Sequence, residues 1–286
     1  MTTRSEELKS LITIIIAMFV ITTVSAQKPA IEWANVPAGT FTMGSPISEP
    51  ERENCETQHV VTLSAFKMSK YEITVGQFKA FVDATEYKTD AEKGTSEEWG
   101  SLIWTGKDWC YDSTVNWKYD VMGKLRPEEE YNYPVIHVSW NDAKAFADWM
   151  GCRLPTESEW EYACRAGTTT PFNTGSKLTA SQANFGNLPD TITMNKPNIL
   201  QVGSFAPNSW DLCDMHGNAF EWCSDWYGDY PTVAQINPSG PATGKYRVIR
   251  GGNWIVDMQY CRSALRRAEC PEGHYHSYGF RIVTSK

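Results

Sequence analysis

Apolar residues recur at helical spacing in three stretches of the chain. After Thr74 they fall at Val75, Phe78, Phe81 and Val82, a spacing of three and four that lines one helix face. Thr74 followed by Gln77 forms a capping box, in which each side chain accepts the other residue's backbone N–H. A second helix follows Ser139, turns Ala143, Phe146, Ala147 and Met150 inward and stops at Gly151, since glycine suits the left-handed residue past a helix end. A third begins at Thr156 with Glu159 as its capping partner, carries Trp160 and Ala163 on its core face and ends at Gly167. Elsewhere the pattern is short alternation, which predicts strands. Residues 36–45 pair with 59–74, where Val61 and Leu63 take one phase and Phe66 and Met68 the other, so a bulge is expected near Ser64. Strands at 246–250, 261–267 and 279–283 close the chain.

Few helices, several short strands and much irregular chain predict an α+β domain low in regular secondary structure. Residues 88–133, with Trp99, Trp104, Trp109 and Trp117, read as a long loop packed by its own aromatics. Nothing after residue 26 looks like a linker or a repeat, so residues 27–286 read as a single domain. Residues 1–26 differ in kind. Arg4 and Lys9 precede an apolar run that ends in Val24-Ser25-Ala26, the layout of a signal peptide cleaved before Gln27. The run is shorter than the roughly 20 residues of a membrane span, so the expected protein is periplasmic or secreted, with no stable span after cleavage.

A net charge of −8, without any basic stripe, leaves nothing to neutralise phosphates and excludes nucleic acid as a partner. The eight cysteines, carried into an oxidising compartment, permit disulfides in any of roughly 100 connectivities. None forms a Cys-x-x-Cys pair, so neither a thioredoxin-type site nor a zinc ribbon is suggested.

The segments PAGTFTMGS, MSKYEITVGQFKAFVDAT, YPVIHVSWNDAKAFADWMGCRLPTESEWEYACRAG, DMHGNAFEWCSDWY, YRVIRGGNW and GFR follow one another across almost the whole mature chain. In that order they resemble the sulfatase-modifying-factor family, whose type member is formylglycine-generating enzyme. The resemblance implies that family's compact fold, related to C-type-lectin-like domains. It also implies an oxidation, the conversion of a sulfatase cysteine to formylglycine, with copper held by two cysteines five residues apart after a Gly-Gly pair. Counting from Gly251 here puts Val256 and Cys261 at those two positions, while aligning CRSALR on the family's late strand leaves Cys261 outside the pair. Either way at least one thiolate is missing, and copper(I), which favours soft thiolates, would be weakly held. Cys261 is the candidate catalytic residue, and Asn253 replaces the serine that the family carries after the glycines.

The candidate substrate-binding residues are Asn253, Trp254, Arg281, His274 and His276. Glu272, His274 and His276 form an E-x-H-x-H group. In extended chain its two histidines project to one side, either toward a metal shared with a carboxylate or Cys261, or as a polar loop facing substrate. Arg250, Arg262, Arg266 and Arg267 make the same end locally basic, which suits an anion or merely solvated strand ends.

Asp214, Gly217, Ala219 and Glu221 offer carboxylate and carbonyl oxygens within eight residues, a donor set for a hard cation such as calcium. The resemblance implies a structural calcium at these four positions; the alternative is a salt-bridged turn without metal. A second calcium site implied at Asn184 and Phe185 has no matching aspartate around 194–196. The expected function is that of an exported formylglycine-generating-enzyme-like protein without the standard copper-dependent oxidase activity, its pocket binding a peptide, glycan or other small ligand. The alternatives are a sulfatase-maturation oxidase and another periplasmic oxidation on the same scaffold. Expected partners are a sulfatase or other exported polypeptide, or a glycan.

Overall fold

The computed structural model describes residues 27–94, 100–186 and 199–285. The expected signal peptide, Trp99 and positions 194–196 lie outside the described residues. Among the described residues four α-helices form, α1 (Val75–Thr85), α2 (Asp90–Lys93), α3 (Trp140–Met150) and α4 (Glu157–Arg165). Thr74, Thr89, Ser139 and Thr156 each close a full capping box at the N-terminus. α4 ends on Ala166, itself left-handed at φ 45°, one residue before the glycine expected to end it.

Twelve strands are named: β1 (Trp33–Val36), β2 (Gly39–Met43), β3 (His59–Leu63), β4 (Phe66–Ser69), β5 (Ser101–Trp104), β6 (Trp109–Asp112), β7 (Phe220–Trp226), β8 (Gln235–Ile236), β9 (Arg247–Arg250), β10 (Arg267–Glu269), β11 (Tyr278–Gly279) and β12 (Val283–Thr284). They build four small sheets, ordered β1-β4-β12, β10-β9-β7-β11, β2-β3-β8 and β5-β6. The change of phase at Ser64 is a break rather than a bulge. β3 pairs with β2, and β4 pairs with β1 and β12 in another sheet. The stretch read as an aromatic loop holds α2 and the β5–β6 hairpin, in which Trp104 faces Trp109. A strand over 261–267 does not form. Cys261 ends a single 3-10 turn, Met258–Cys261, and only Arg267 enters β10. Residues 261–266 are all buried, so no alternation of a wet and a dry face favours a strand there.

Two cores carry the molecule. One joins Phe78 and Phe81 of α1, Phe146 of α3, Trp222 and Phe280. The other joins Trp160 and Ala163 of α4 to Val36, Met43, Val61, Met68 and Val248. Between them β7 and β9 run antiparallel, with Glu221 opposite Arg250 and Trp222 opposite Ile249. No described helix is long and apolar enough to cross a membrane, and no disulfide forms among the described cysteines.

Candidate functional site

The site is built where β9 gives out. Gly251 and Gly252 take φ of 96° and 76°, backbone that a side chain disfavours, and turn the chain back so that Cys261 returns beneath them. A Cβ on Gly252 would lie 2.5 Å from the Cys261 sulfur, so this close approach requires glycine. Cys261 is completely buried among Phe172, Leu178 and Ala183, with Val256 and Met258 packed on the same cluster. Burial pushes its thiol well above the usual cysteine range, which favours the neutral thiol, a poor nucleophile. Cys164, also buried, lies 3.6 Å from Ser263 Oγ and is pushed up to about 12 by desolvation.

Above this cluster an open groove of about 290 Å³ runs between Phe220, Ile249, Val256, Tyr260, Arg267, Ala268, Glu269 and Tyr278. Its floor is apolar. One rim is β10, the last strand of its sheet, and Arg267 on that rim holds Glu53 through two bonds of 2.7 Å. Val256 opens onto the groove while Cys261 is sealed. One of the two positions implied to hold copper is therefore hydrocarbon, and the other, the candidate catalytic thiol of Cys261, is sealed from the surface.

None of the other candidate residues lines the groove. Asn253 is buried, and its Oδ1 accepts the N–H groups of Ile255 and Val256 at 3.1 Å each, which fixes the turn that presents Val256. Trp254 is fully buried beside Val121, Ile136 and Ile199. His276 stacks on Trp109 at 4.3 Å and meets Trp254 edge-on at 5.8 Å; burial pushes it down to about 3. His274 is buried too, its Nδ1 2.6 Å from the Glu272 carbonyl. His276 thus packs between Trp109 and Trp254 in an aromatic core and His274 is buried, while Glu272 stays exposed. Among the described residues no set of three His, Cys, Asp or Glu side chains converges with metal-binding geometry.

The four arginines read as a basic end are neutralised one by one. Arg250 is fully buried against Glu161, Arg262 holds Glu49 and Glu56, Arg266 holds Glu157, and Arg267 holds Glu53. Burial alone would raise the Glu157 carboxyl, but the guanidinium groups of Arg266 and Arg250 outweigh it and hold it below the usual range. No anion site follows from their charge.

Arg281 spends its donors inside the protein. Nε and Nη2 bind the two Glu221 oxygens at 2.6 and 2.7 Å, Nη2 also reaches the Cys213 carbonyl, and Nη1 donates to the carbonyls of Ser69 and Lys70. Trp160 Nε1 adds a third bond to Glu221 at 2.7 Å. Gly217, at φ 78°, donates to the Gly251 carbonyl at 2.8 Å and so ties the acidic loop to the glycine turn. Asp214, left-handed at φ 57°, accepts the Gly203 N–H on one oxygen only. Ala219 is buried in the core beneath Trp254. Glu72, which the sequence did not single out, comes from the segment after β4 and is buried against this group; its Oε1 accepts Asn218 Nδ2 at 3.0 Å. Its only signal in the sequence is a carboxylate flanked by Tyr71 and Ile73, too common a pattern to be noticed.

Compared with known proteins, residues 21–286 match the sulfatase-modifying factor enzyme 1-like domain. The chain is 34% identical over 280 residues to the formylglycine-generating enzyme of Bos taurus, covering 89% of this chain and 75% of that one. It is 35% identical over 274 residues to the formylglycine-generating enzyme of Streptomyces coelicolor, covering 87% of each. Among solved structures, PvdO from Pseudomonas aeruginosa superposes with a TM-score of 0.71 at 28% identity, over 92% of this chain and 97% of that one.

Proposed function

Given that the chain belongs to the sulfatase-modifying factor enzyme 1-like family, we propose that it is an exported member whose groove at Val256 holds an extended polypeptide and which does not carry out the copper-dependent oxidation. The observation that carries this reading is the pairing of Val256 with a sealed Cys261. Copper(I) needs two soft donors; here one position is an isopropyl group and the other a desolvated thiol. The residues present do not fit copper.

A polypeptide suits the groove better than a glycan. The floor of Phe220, Ile249, Val256 and Tyr278 offers apolar contacts, and β10 ends its sheet, so an extended segment can add to that edge through main-chain hydrogen bonds. A sulfatase is one such polypeptide. The two relatives compared above are formylglycine-generating enzymes, which is consistent with a second reading, sulfatase maturation by a changed mechanism.

The test is to incubate the mature protein with a Cys-x-Pro-x-Arg peptide, copper, oxygen and a reductant, following both peptide binding and the peptide's mass. The expected result is binding without aldehyde formation, weakened about tenfold by Tyr260→Ala, since buried aromatic contacts dominate such grooves. Conversion of the peptide cysteine to the aldehyde overturns the proposal in favour of the second reading. Absence of both binding and conversion overturns it as well.

A further inference from the structure

A second cavity, of about 370 Å³, shares no lining residue with the groove. It lies among the first residues of α4, the end of β7, His59 of β3 and the loops 228–231 and 237–241. Two glycines let those loops close on it. A Cβ on Gly228 would lie 2.7 Å from the Pro241 ring, and one on Gly240, left-handed at φ 71°, would lie 2.9 Å from the Asp225 side chain. Met43, Trp226, Pro231, Pro238 and Pro241 supply the apolar wall.

Asp225 is the polar group that the fold leaves facing this space. It is only 4% exposed, and its hydrogen bonds, from the Glu157 N–H and the Ser224 hydroxyl, both fall on Oδ2. Oδ1 is left without one. The neighbouring cations are engaged elsewhere. Arg266 is spent on both Glu157 oxygens and on the carbonyls of Gly228 and Cys55. Arg247 is held between the rings of Trp140 and Trp226 and donates to the Ser224 carbonyl. Tyr230 gives its hydroxyl hydrogen to Glu157, so its oxygen has only lone pairs left. His59 Nδ1 donates to the Thr57 carbonyl at 3.2 Å, and the other nitrogen of the neutral ring is then an acceptor too. Asp229 adds an exposed carboxylate to the lining.

The cavity is thus rich in acceptors and negative charge and poor in free donors. A buried carboxylate oxygen without a partner is rare. Burial, reinforced by the Glu157 carboxylate, pushes Asp225 up to about 7, the mark of a charge that lacks its counter-ion. An anion finds no guanidinium left to hold it. A metal ion finds too few ligands, since among the described residues no three His, Cys, Asp or Glu side chains converge on one point. We infer that this cavity binds a small organic cation, an alkylammonium group that donates to Asp225 Oδ1 while its hydrocarbon lies against Trp226 and the prolines. The match is one of chemistry and of size. An ammonium brings only donors and one positive charge, and an apolar cavity of a few hundred Å³ with one convergent charged group is the ordinary form of a small-molecule site. The same contacts serve a free amine and the end of a lysine side chain in a polypeptide.

The experiment titrates the full mature chain with butylamine, with butanol as its uncharged counterpart and with N-acetyl-lysine amide, following chemical shifts by nuclear magnetic resonance. The expected result is saturable binding of butylamine that moves the Gly228 and Gly240 amide signals, with butanol weaker by at least about tenfold, the worth of a charge-assisted bond. Lysine amide binding as well as butylamine assigns the ammonium to a polypeptide side chain, and its exclusion assigns it to a free amine. Asp225→Asn, which keeps the shape of the side chain, is expected to weaken butylamine at least about tenfold. Because Asp225 also accepts from the first turn of α4, the exposed substitution Asp229→Asn carries the test if that variant does not fold, with a loss of about threefold. Equal affinity for butylamine and butanol overturns the inference in favour of an apolar cavity without charge recognition. No response to any probe overturns it in favour of a proton as the sole partner of Asp225, and binding unchanged by the substitutions overturns it in favour of a site elsewhere. Cavity and groove share no lining residue, so failure here is distinguishable from failure of the groove proposal.

Discussion

At the scale of single residues, the chemistry of the site turns on one branch point. Val256 and Cys261 share an apolar cluster with Met258, and the turn that presents Val256 is pinned by Asn253. A cysteine placed there would meet the existing sulfur environment without rebuilding the backbone, since valine and cysteine are of similar size. Val256→Cys is therefore expected to bind one copper(I) per chain tightly enough to survive competition with a thiol chelator, where the wild type does not. The check is copper(I) titration of both proteins. A wild type that holds copper as tightly as the variant would show that Cys261 already has a second soft partner. Arginine roles were misleading at this scale, because a guanidinium written in sequence looks available. Arg250, Arg262, Arg266 and Arg281 are each consumed by buried carboxylates that lie far away in the chain.

At the scale of elements, the helix starts were legible because their signals are local. Each capping box sits within four residues, so no tertiary information is needed to find it. The box at Ser139 does more than start α3. Asp142, its third helical residue, accepts from Ser139 N–H, from Tyr87 Oη and from the Asp90 N–H, and so fastens α2 to α3. Burial, reinforced by the nearby Asp90 carboxylate, pushes Asp142 up to about 7. The unfolded chain loses this proton near pH 4, at the ordinary aspartate value of about 3.9, while the folded chain keeps it to about 7. The contribution to stability is therefore full below pH 4 and is lost as pH rises through 7. Asp142→Asn should flatten that part of the pH profile measured by chemical denaturation, leaving the similar contribution of Asp225, also pushed up to about 7 by burial. A wild-type stability that rises steadily from pH 4 to 7 and keeps the same slope in the variant would contradict it. Short strands were harder to read. β8, β11 and β12 have two residues each, too few for any alternation to register.

At the scale of the molecule, ionic ties close a chain that has no described disulfide and little regular structure. Arg262 reaches Glu49 and Glu56 across more than 200 residues, at 2.7 and 2.6 Å, and its donor to the Glu51 carbonyl holds the same loop. Removing a buried partner strands the opposite charge. Arg262→Ala is thus expected to cost about 3–5 kcal/mol, seen as a lowered denaturation midpoint. A loss within about 0.5 kcal/mol would place these groups in solvent.

By itself the sequence determined the three long helices and their N-terminal caps, the α+β class, the family blocks and the missing second thiol, all of which are written in neighbouring residues or in their order. The tertiary structure alone decided that Cys261 is sealed, that His274 and His276 are buried, and that Glu221 belongs to Arg281 while Glu72 accepts from Asn218. Those outcomes depend on which charges and rings meet after folding. That pairing is set by a competition among distant partners for a few buried positions, and local pattern carries no record of it.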